Sequence, residues 1–254
     1  MPNYDYQIAI PSYKRPQRIA ETALAYLDST NIDMSRVTVF LADEEESEAY
    51  RKTLERFPGV RTAVGCGKGL ANARNAINDH YPAGTRLMEI DDDVLRIWEK
   101  TGEDGSNEMK HCTDLEALIA KAFDAANGTL WCIYPNKNPF FMKRDKIRTS
   151  GLWYAEGAVF GYVVQHRPYE YVDLDHGEDY LRSLQFFEAH GAVTRIDGYG
   201  AQSRYWDEPG GLQEIRTPEL ISQSLKEIEA RYPHLTTLYY DKKGRPNLRL
   251  KVIR

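Results

Sequence analysis

The sequence predicts an α/β fold: a mostly parallel sheet with helices on both faces and a small β extension at the C-terminus. Three observations predict it. Short apolar runs alternate with amphipathic segments, their connections are short, and no long Pro, Gly or Ser-rich linker divides the 254 residues. Such alternation produces a parallel sheet covered on both sides.

The elements follow in order. Residues 7–10, Gln-Ile-Ala-Ile, form a first strand that stops at Pro11-Ser12-Tyr13-Lys14-Arg15-Pro16, a loop punctuated by two prolines. Ile19, Ala20, Ala23, Leu24 and Leu27 then recur at spacings of three and four, the repeat of a helix with one buried face. The unit repeats with a buried strand over 37–42, Asp43 at its end, and a helix over 44–57. A third short strand covers 60–64. Gly65-Cys66-Gly67-Lys68-Gly69 leads into a helix with Leu70, Ala73 and Ile77 on one face, ending at Pro82-Ala83-Gly84. The glycines let an anion approach the first helical N–H groups, and Lys68 and Arg74 flank that point, an arrangement suited to a diphosphate. A plain turn and helix start is the other reading of the glycines.

Arg86-Leu87-Met88-Glu89-Ile90 then carries a strand into Asp91-Asp92-Asp93, at the C-terminal edge of the sheet, where open α/β folds bind ligands. In an extended segment Asp91 and Asp93 share a side and can hold one hard divalent ion, while Asp92 points elsewhere. An acidic turn or helix cap is the alternative. Residues 100–110 are polar, Gly-rich and without period, and read as a mobile surface loop beside the metal site. A helix over 114–126 and a strand over 129–134 follow. Beyond them Phe140 and Phe141 stand among Lys137, Lys143, Arg144, Lys146 and Arg148, a first basic patch.

A strand over 157–164 precedes an acidic run whose last members, Glu178 and Asp179, open a helix marked by Tyr180, Leu181, Leu184 and Phe187. Acidic residues in a first turn suit the helix dipole without any further function. Near a metal-bound donor, one of them is also placed to take a proton from an attacking hydroxyl. A strand over 193–196 and a loop over 199–211, a candidate wall of an acceptor site, come next. A helix over 220–232 and two strands about a turn at 241–244 close the chain. Arg249, Lys251 and Arg254 form a second basic patch, of the kind that protects an edge strand.

Hydrophobic residues make up 42% and charged residues 28%, ordinary for a globular protein, and no apolar run approaches the ~20 residues of a spanning helix. The start Met-Pro-Asn-Tyr-Asp-Tyr-Gln has neither a basic end nor an apolar core. The chain is therefore expected to stay in the cytoplasm where it is made, that of the host if a phage encodes it, with no membrane partner. Cys66, Cys112 and Cys132 lack metal spacing and are expected as reduced thiols. A net charge of -5 gives no general attraction to nucleic acid, which local patches would have to hold. No obligate protein partner is evident.

Four stretches together resemble the nucleotide-sugar half of the GT-A glycosyltransferases, a Rossmann-like fold: Ile8-Ala9-Ile10-Pro11-Ser12-Tyr13-Lys14-Arg15-Pro16, Asp43, Gly69-Leu70-Ala71-Asn72-Ala73-Arg74-Asn75-Ala76, and Ile90-Asp91-Asp92-Asp93. Within that class the chain is most similar to the TET/JBP-associated glycosyltransferases of phages and related systems. Phe40-Leu41-Ala42-Asp43-Glu44-Glu45-Glu46, the strand end Ile90-Asp91-Asp92-Asp93-Val94, Gly177-Glu178-Asp179-Tyr180 with Arg182-Ser183, and the Gly210-Gly211 loop carry this closer likeness, which runs from Ile8 to Gly211.

The resemblance implies one domain over 1–254, with a donor half over 1–98 and an acceptor half over 99–254. It implies metal-dependent transfer of a sugar, by default glucose, from a UDP-sugar to the hydroxyl of a 5-hydroxymethylpyrimidine in DNA. Pro11, Ser12, Tyr13, Arg15 and Asp43 would lie at the nucleobase and ribose, Lys68, Gly69 and Arg74 at the diphosphate. Asp91 and Asp93 would hold Mg or Mn, with Asp92 at the ribose and His176 or His234 available as a further ligand. Asp179 would be the base, positioned by Glu178, if the anomeric centre is inverted; with retention it would only bind acceptor. Lys143, Arg144, Arg204 and Tyr205 would contact DNA. The competing expectations are an envelope or capsule acceptor on the same donor site, a nucleotidyltransferase, and a nucleotide-sugar-binding regulatory module.

Overall fold

Alternation along the strands sets the layers. The computed structural model describes residues 5–204 and 217–251. In it β1 (Gln7–Pro11) sends Ile8 and Ile10 to one face of a sheet and Ala9 to the other. The helix expected through Ile19 and Leu27 is divided into α1 (Pro16–Glu21) and α2 (Ala23–Asp28). The break falls at Thr22, whose hydroxyl reaches both the Arg18 and the Asp92 carbonyl oxygens and so ties the helices to the acidic segment. β2 (Val37–Leu41) is buried throughout, and α3 (Glu44–Leu54) starts at Asp43, whose carboxylate accepts from the Glu46 N–H at 3.0 Å. β3 (Arg61–Val64), α4 (Leu70–His80) and β4 (Arg86–Ile90) complete the expected repeat.

The acidic residues then turn the chain. The Val94 N–H donates to the Asp91 carbonyl at 3.2 Å, and β5 (Val94–Lys100) leaves for the far side of the sheet. Periodicity does not announce β5, because its buried residues Val94, Ile97 and Lys100 recur every third position instead of every second. The mobile loop expected at 100–110 is instead a tied hairpin. β6 (Met109–His111) pairs with β5, and the buried Lys100 ammonium donates to the carbonyls of Ser106 at 2.7 Å and Pro139 at 2.8 Å.

α5 (Leu115–Ala126), β7 (Trp131–Tyr134), β8 (Ile147–Arg148), β9 (Val159–Val163), α6 (Glu178–His190) and β10 (Thr194–Ser203) follow. β10 takes in residues that read as loop. The backbones of Arg144 and Asn136 cross it at Gly198 and Gly200, where a Cβ would collide, so these glycines provide clearance inside a strand. The remainder of that expected loop, with Tyr205 and Gly210-Gly211, lies outside the described residues. α7 (Pro218–Arg231) and the hairpin of β11 (Thr236–Tyr240) and β12 (Pro246–Leu250) form the C-terminal extension.

Among the described residues the main sheet has ten strands, in the order β3-β2-β1-β4-β9-β7-β10-β5-β6, with β8 beside β10. β3, β2, β1 and β4 are parallel, as alternation predicts, and β9 enters antiparallel between β4 and β7. Ile19, Leu24, Leu118 and Phe123 cover one face, and Ile77 of α4 with Phe186 of α6 cover the other. A third cluster joins Leu181 and Leu184 of α6 to Leu225 and Ile228 of α7 and Leu248 of β12. The C-terminal ends of β1, β2 and β4 thereby open at one edge, beside the start of α6.

Candidate active site

At that edge three consecutive carboxylates meet three environments, because 91–94 is a turn and strand alternation does not place them. Asp92 is 6% exposed, accepts from Ser12 Oγ at 2.6 Å and pairs with Arg15 at 3.3 Å. It fastens the 11–16 loop to the sheet with both oxygens, where the resemblance placed it at the ribose. Asp91 is a third exposed and takes Arg74 Nη2 on Oδ1 at 2.6 Å. Asp93 is pushed up to about 8, by burial first and then by Asp91 and Asp92.

The loop itself is held from α3. Lys14, at a positive φ of 54°, donates its N–H to Glu46 Oε2 at 2.8 Å, and the Arg15 N–H donates to the Tyr50 hydroxyl at 2.7 Å. Ser12 Oγ also meets the Tyr50 hydroxyl at 2.8 Å. Pro11 and Ser12 are buried beneath the loop. Tyr13, Arg15 and Asp43 keep partly exposed side chains.

Arg74 is the centre of the cluster. At 2% exposure it pairs with Glu89 at 2.9 Å and Asp91 at 2.6 Å, donates to the Gly157 carbonyl at 3.2 Å, and lies 3.7 Å from Glu178. The Phe160 ring sits under its guanidinium at 5.1 Å. Engaged in this way, the guanidinium draws β4, α6 and the acidic turn together, whereas the resemblance placed it at the diphosphate. The N-terminus of α4 is likewise occupied. The Ala71 N–H donates to Asp175 Oδ1 at 2.8 Å and that carboxylate lies against Gly69, so a protein anion stands where the diphosphate was expected. Of the three residues expected there, Lys68 alone is exposed.

Two neighbours of Arg74 were not candidates from sequence. Glu89 left a signal, a carboxylate inside an apolar strand. Gly157 left none: a Cβ there would lie 3.2 Å from Glu178 Oε1, 3.3 Å from Arg74 Nη2 and 3.7 Å from Asp91 Oδ2, so the close approach of these groups depends on its absence.

Glu178 and Asp179 stand at the start of α6. Glu178 is 5% exposed and pushed up to about 7 by burial and by Asp179, against the pull of Arg182 and Arg74. Burial also raises Asp179, opposed by the Tyr154 hydroxyl donating to Oδ2 and the Tyr180 N–H donating to Oδ1 at 2.8 Å. The Tyr154 and Tyr180 rings stack with centroids 4.4 Å apart, and the Tyr180 hydroxyl donates to Asn247 of β12 at 2.9 Å. A carboxylate with raised proton affinity beside two aromatic rings is suited to accept a proton from a bound hydroxyl.

Of the four expected DNA contacts, three lie among the described residues, and each has an acidic neighbour. Lys143 pairs with Asp104 at 3.1 Å and Arg144 with Glu103 at 3.4 Å, since the tied hairpin folds its acids onto the basic patch. Arg204 lies by the acidic turn instead, its N–H donating to the Asp93 carbonyl at 3.1 Å and its side chain 3.9 Å from Glu21. Tyr205 is outside the described residues.

Asp91 and Asp93 offer hard oxygen ligands, and Asp93, raised by burial first and by Asp91 and Asp92 next, stands among carboxylates whose repulsion a divalent cation would relieve. Among the described residues no group of three or more His, Cys, Asp or Glu side chains is placed to hold a metal ion by itself, so a cation here would take further ligands from a bound diphosphate. Neither His176, which is buried, nor His234, which is exposed, belongs to such a group.

No protein-family model matches the chain, and no curated protein matches its sequence. Solved structures match its fold. TarS of S. aureus superposes with a TM-score of 0.56 at 13% identity, over 90% of this chain and 39% of TarS. TarS 1–349 in complex with UDP-GlcNAc gives 0.57 at 14% identity, over 89% of this chain and 66% of that one. Glucosyl-3-phosphoglycerate synthase from Mycobacterium tuberculosis, in complex with Mn2+, UDP and glucosyl-3-phosphoglycerate, gives 0.55 at 10% identity, over 99% and 88%. The chain thus spans well under half of full TarS and just under two thirds of TarS 1–349 in its UDP-GlcNAc complex, and the expected GT-A fold is what these likenesses share with it. No helix among the described residues is long and apolar enough to cross a membrane.

Proposed function

We propose that the chain is a metal-dependent glycosyltransferase that moves a sugar from a UDP-sugar to an acceptor hydroxyl. One observation carries the reading: at the C-terminal edge of a GT-A sheet, buried Arg74 joins Asp91 of the acidic turn to Glu178, the neighbour of Asp179. Matching folds that hold UDP-GlcNAc, or UDP with Mn2+, support it. On this reading Tyr13 and Asp43 receive the nucleobase, with the Asp43 oxygen not used in capping α3 accepting from it, and Lys68 reaches the diphosphate. Asp91 and Asp93 hold Mg or Mn, which when bound supplies positive charge beside the departing UDP. Asp179 takes the proton of the acceptor hydroxyl as that oxygen attacks the anomeric carbon and the bond to UDP breaks. Glu178 fixes the start of α6 against Arg74, and the outcome is inversion.

The finer reading, that the acceptor is a 5-hydroxymethylpyrimidine in DNA and the sugar glucose, rests on the resemblance of residues 40–46 and 177–183. Lys143 and Arg144 already have acidic partners, so strand contacts would have to come from other cations. The test is a transfer assay with Mn2+, a panel of UDP-sugars, and hydroxymethylated against unmodified DNA, read by mass spectrometry of digested nucleosides. A hexose gained only on the hydroxymethylpyrimidine is expected. Metal-dependent hydrolysis of a UDP-sugar without gain on DNA would overturn the acceptor, and no turnover of any UDP-sugar would overturn the whole reading.

A further inference from the structure

Away from the carboxylate cluster, two arginines share one buried acid and keep their forks open. Asp197 is 0% exposed; Arg195 Nε donates to its Oδ1 at 2.7 Å and Arg148 Nε to its Oδ2 at 2.6 Å. The Trp153 ring lies 4.3 Å from the Arg195 guanidinium and 4.5 Å from that of Arg148, and the Tyr134 ring lies 4.8 Å from Arg195. Two cations thus face one anion. Each uses only Nε on Asp197, and among the described residues none of the four η nitrogens makes a hydrogen bond. The side chains are 26% exposed for Arg148 and 11% for Arg195, so the open edges reach solvent from a largely buried setting.

The place of this cluster matters as much as its charge. Trp153 precedes Tyr154, whose hydroxyl donates to Asp179, and consecutive Cα atoms lie ~3.8 Å apart. Arg195 stands opposite Cys132 of β7, whose thiol contacts the Tyr154 carbonyl at 3.6 Å. The indole that carries the open guanidinium edges is therefore next in the chain to the tyrosine that meets the proposed base.

We infer that Arg148, Arg195 and Trp153 form an anion subsite that takes a phosphate group carried by the acceptor. Two planar forks fixed by one carboxylate match oxygens of a tetrahedral phosphate, and the indole holds the guanidinium planes, which a pair of flexible ammonium groups would not allow. The subsite supplies the phosphate contact that Lys143 and Arg144, neutralised by Asp104 and Glu103, do not. The word acceptor rests on the glycosyltransferase reading; phosphate binding itself does not.

The full chain, without metal or donor, is titrated with inorganic phosphate while arginine Nε–H signals are followed by NMR. Arg148→Lys and Arg195→Lys identify the two signals. Saturable shifts of both are expected, absent with chloride at equal ionic strength, and Arg195→Lys should weaken phosphate binding about tenfold by removing one fork. The variants serve to assign the two signals, and the decisive comparison of phosphate with chloride is made on the wild-type chain. Absence of saturable shifts, or equal shifts with chloride, overturns the subsite, and Mn2+-dependent hydrolysis of a UDP-sugar by the same sample then leaves the glycosyltransferase reading standing. Phosphate shifts in a sample that hydrolyses no UDP-sugar uphold the subsite and remove that reading instead.

Discussion

The two arginine centres of this molecule carry opposite surpluses of charge. Around Arg74 the carboxylates Glu89, Asp91 and Glu178 gather on a guanidinium, with Arg182 adding a second cation 3.9 Å from Glu178, while Asp93 and Asp179 stand close by. Around Asp197 two guanidiniums gather on one carboxylate. Uncompensated buried charge is costly, so a lasting surplus marks where a ligand of opposite sign completes the balance. On the proposed reading the first centre serves a cation and proton transfer and the second an anion, so that their difference would separate the donor chemistry from the recognition of what receives the sugar.

The largest way to break that contrast is to remove the hub. Arg74→Met should lower unfolding free energy by about 3–5 kcal/mol, because Glu89 and Glu178 stay buried without their partner. Denaturant melts check this, and a change within the noise would mean the cluster is not held by Arg74. Next comes the proton acceptor. Asp179→Asn should cut transfer by about 10²–10⁴-fold while UDP-sugar binding persists; equal transfer would take Asp179 out of the chemistry.

A smaller effect concerns pH. A carboxyl that binds its proton more tightly folded than unfolded favours folding at low pH. For Asp93, pushed up to about 8, that stabilisation is complete below its unfolded value of ~4 and lost as pH rises through about 8, and Glu178, at about 7, adds in the same direction. The metal-free protein should therefore melt at lower temperature at pH 8.5 than at pH 5.5, roughly, and Asp93→Asn should flatten the slope. A melting temperature that climbs over this range would contradict the crowded-carboxylate account. The smallest effect belongs to Lys143→Ala, whose exposed pair with Asp104 should contribute about 0–1 kcal/mol, in contrast with either buried centre.

Much of the frame was legible because it is local. Alternation marked β1, β2 and β4 with their helices, and charge at element ends marked Asp91–Asp93 and Glu178–Asp179. Arg74 was visible as a cation but read as facing a ligand, although it falls one turn before Ile77 on the buried face of α4. What escaped is set by distant partners. Asp175 caps α4 from 104 residues away, Lys100 is buried by a loop nearly forty positions on, and Asp92 is drawn inward by Ser12 and Arg15. Arg148 and Arg195 acquire meaning only when β8 and β10 pair and bring both to Asp197.

The central claim is tested most directly by calorimetric titration of UDP with and without Mn2+ into the wild-type chain, Asp93→Asn and Asp179→Asn. The account predicts Mn2+-dependent binding to the wild type and to Asp179→Asn, and its loss in Asp93→Asn. Binding that is indifferent to Mn2+, or undiminished in Asp93→Asn, would contradict it.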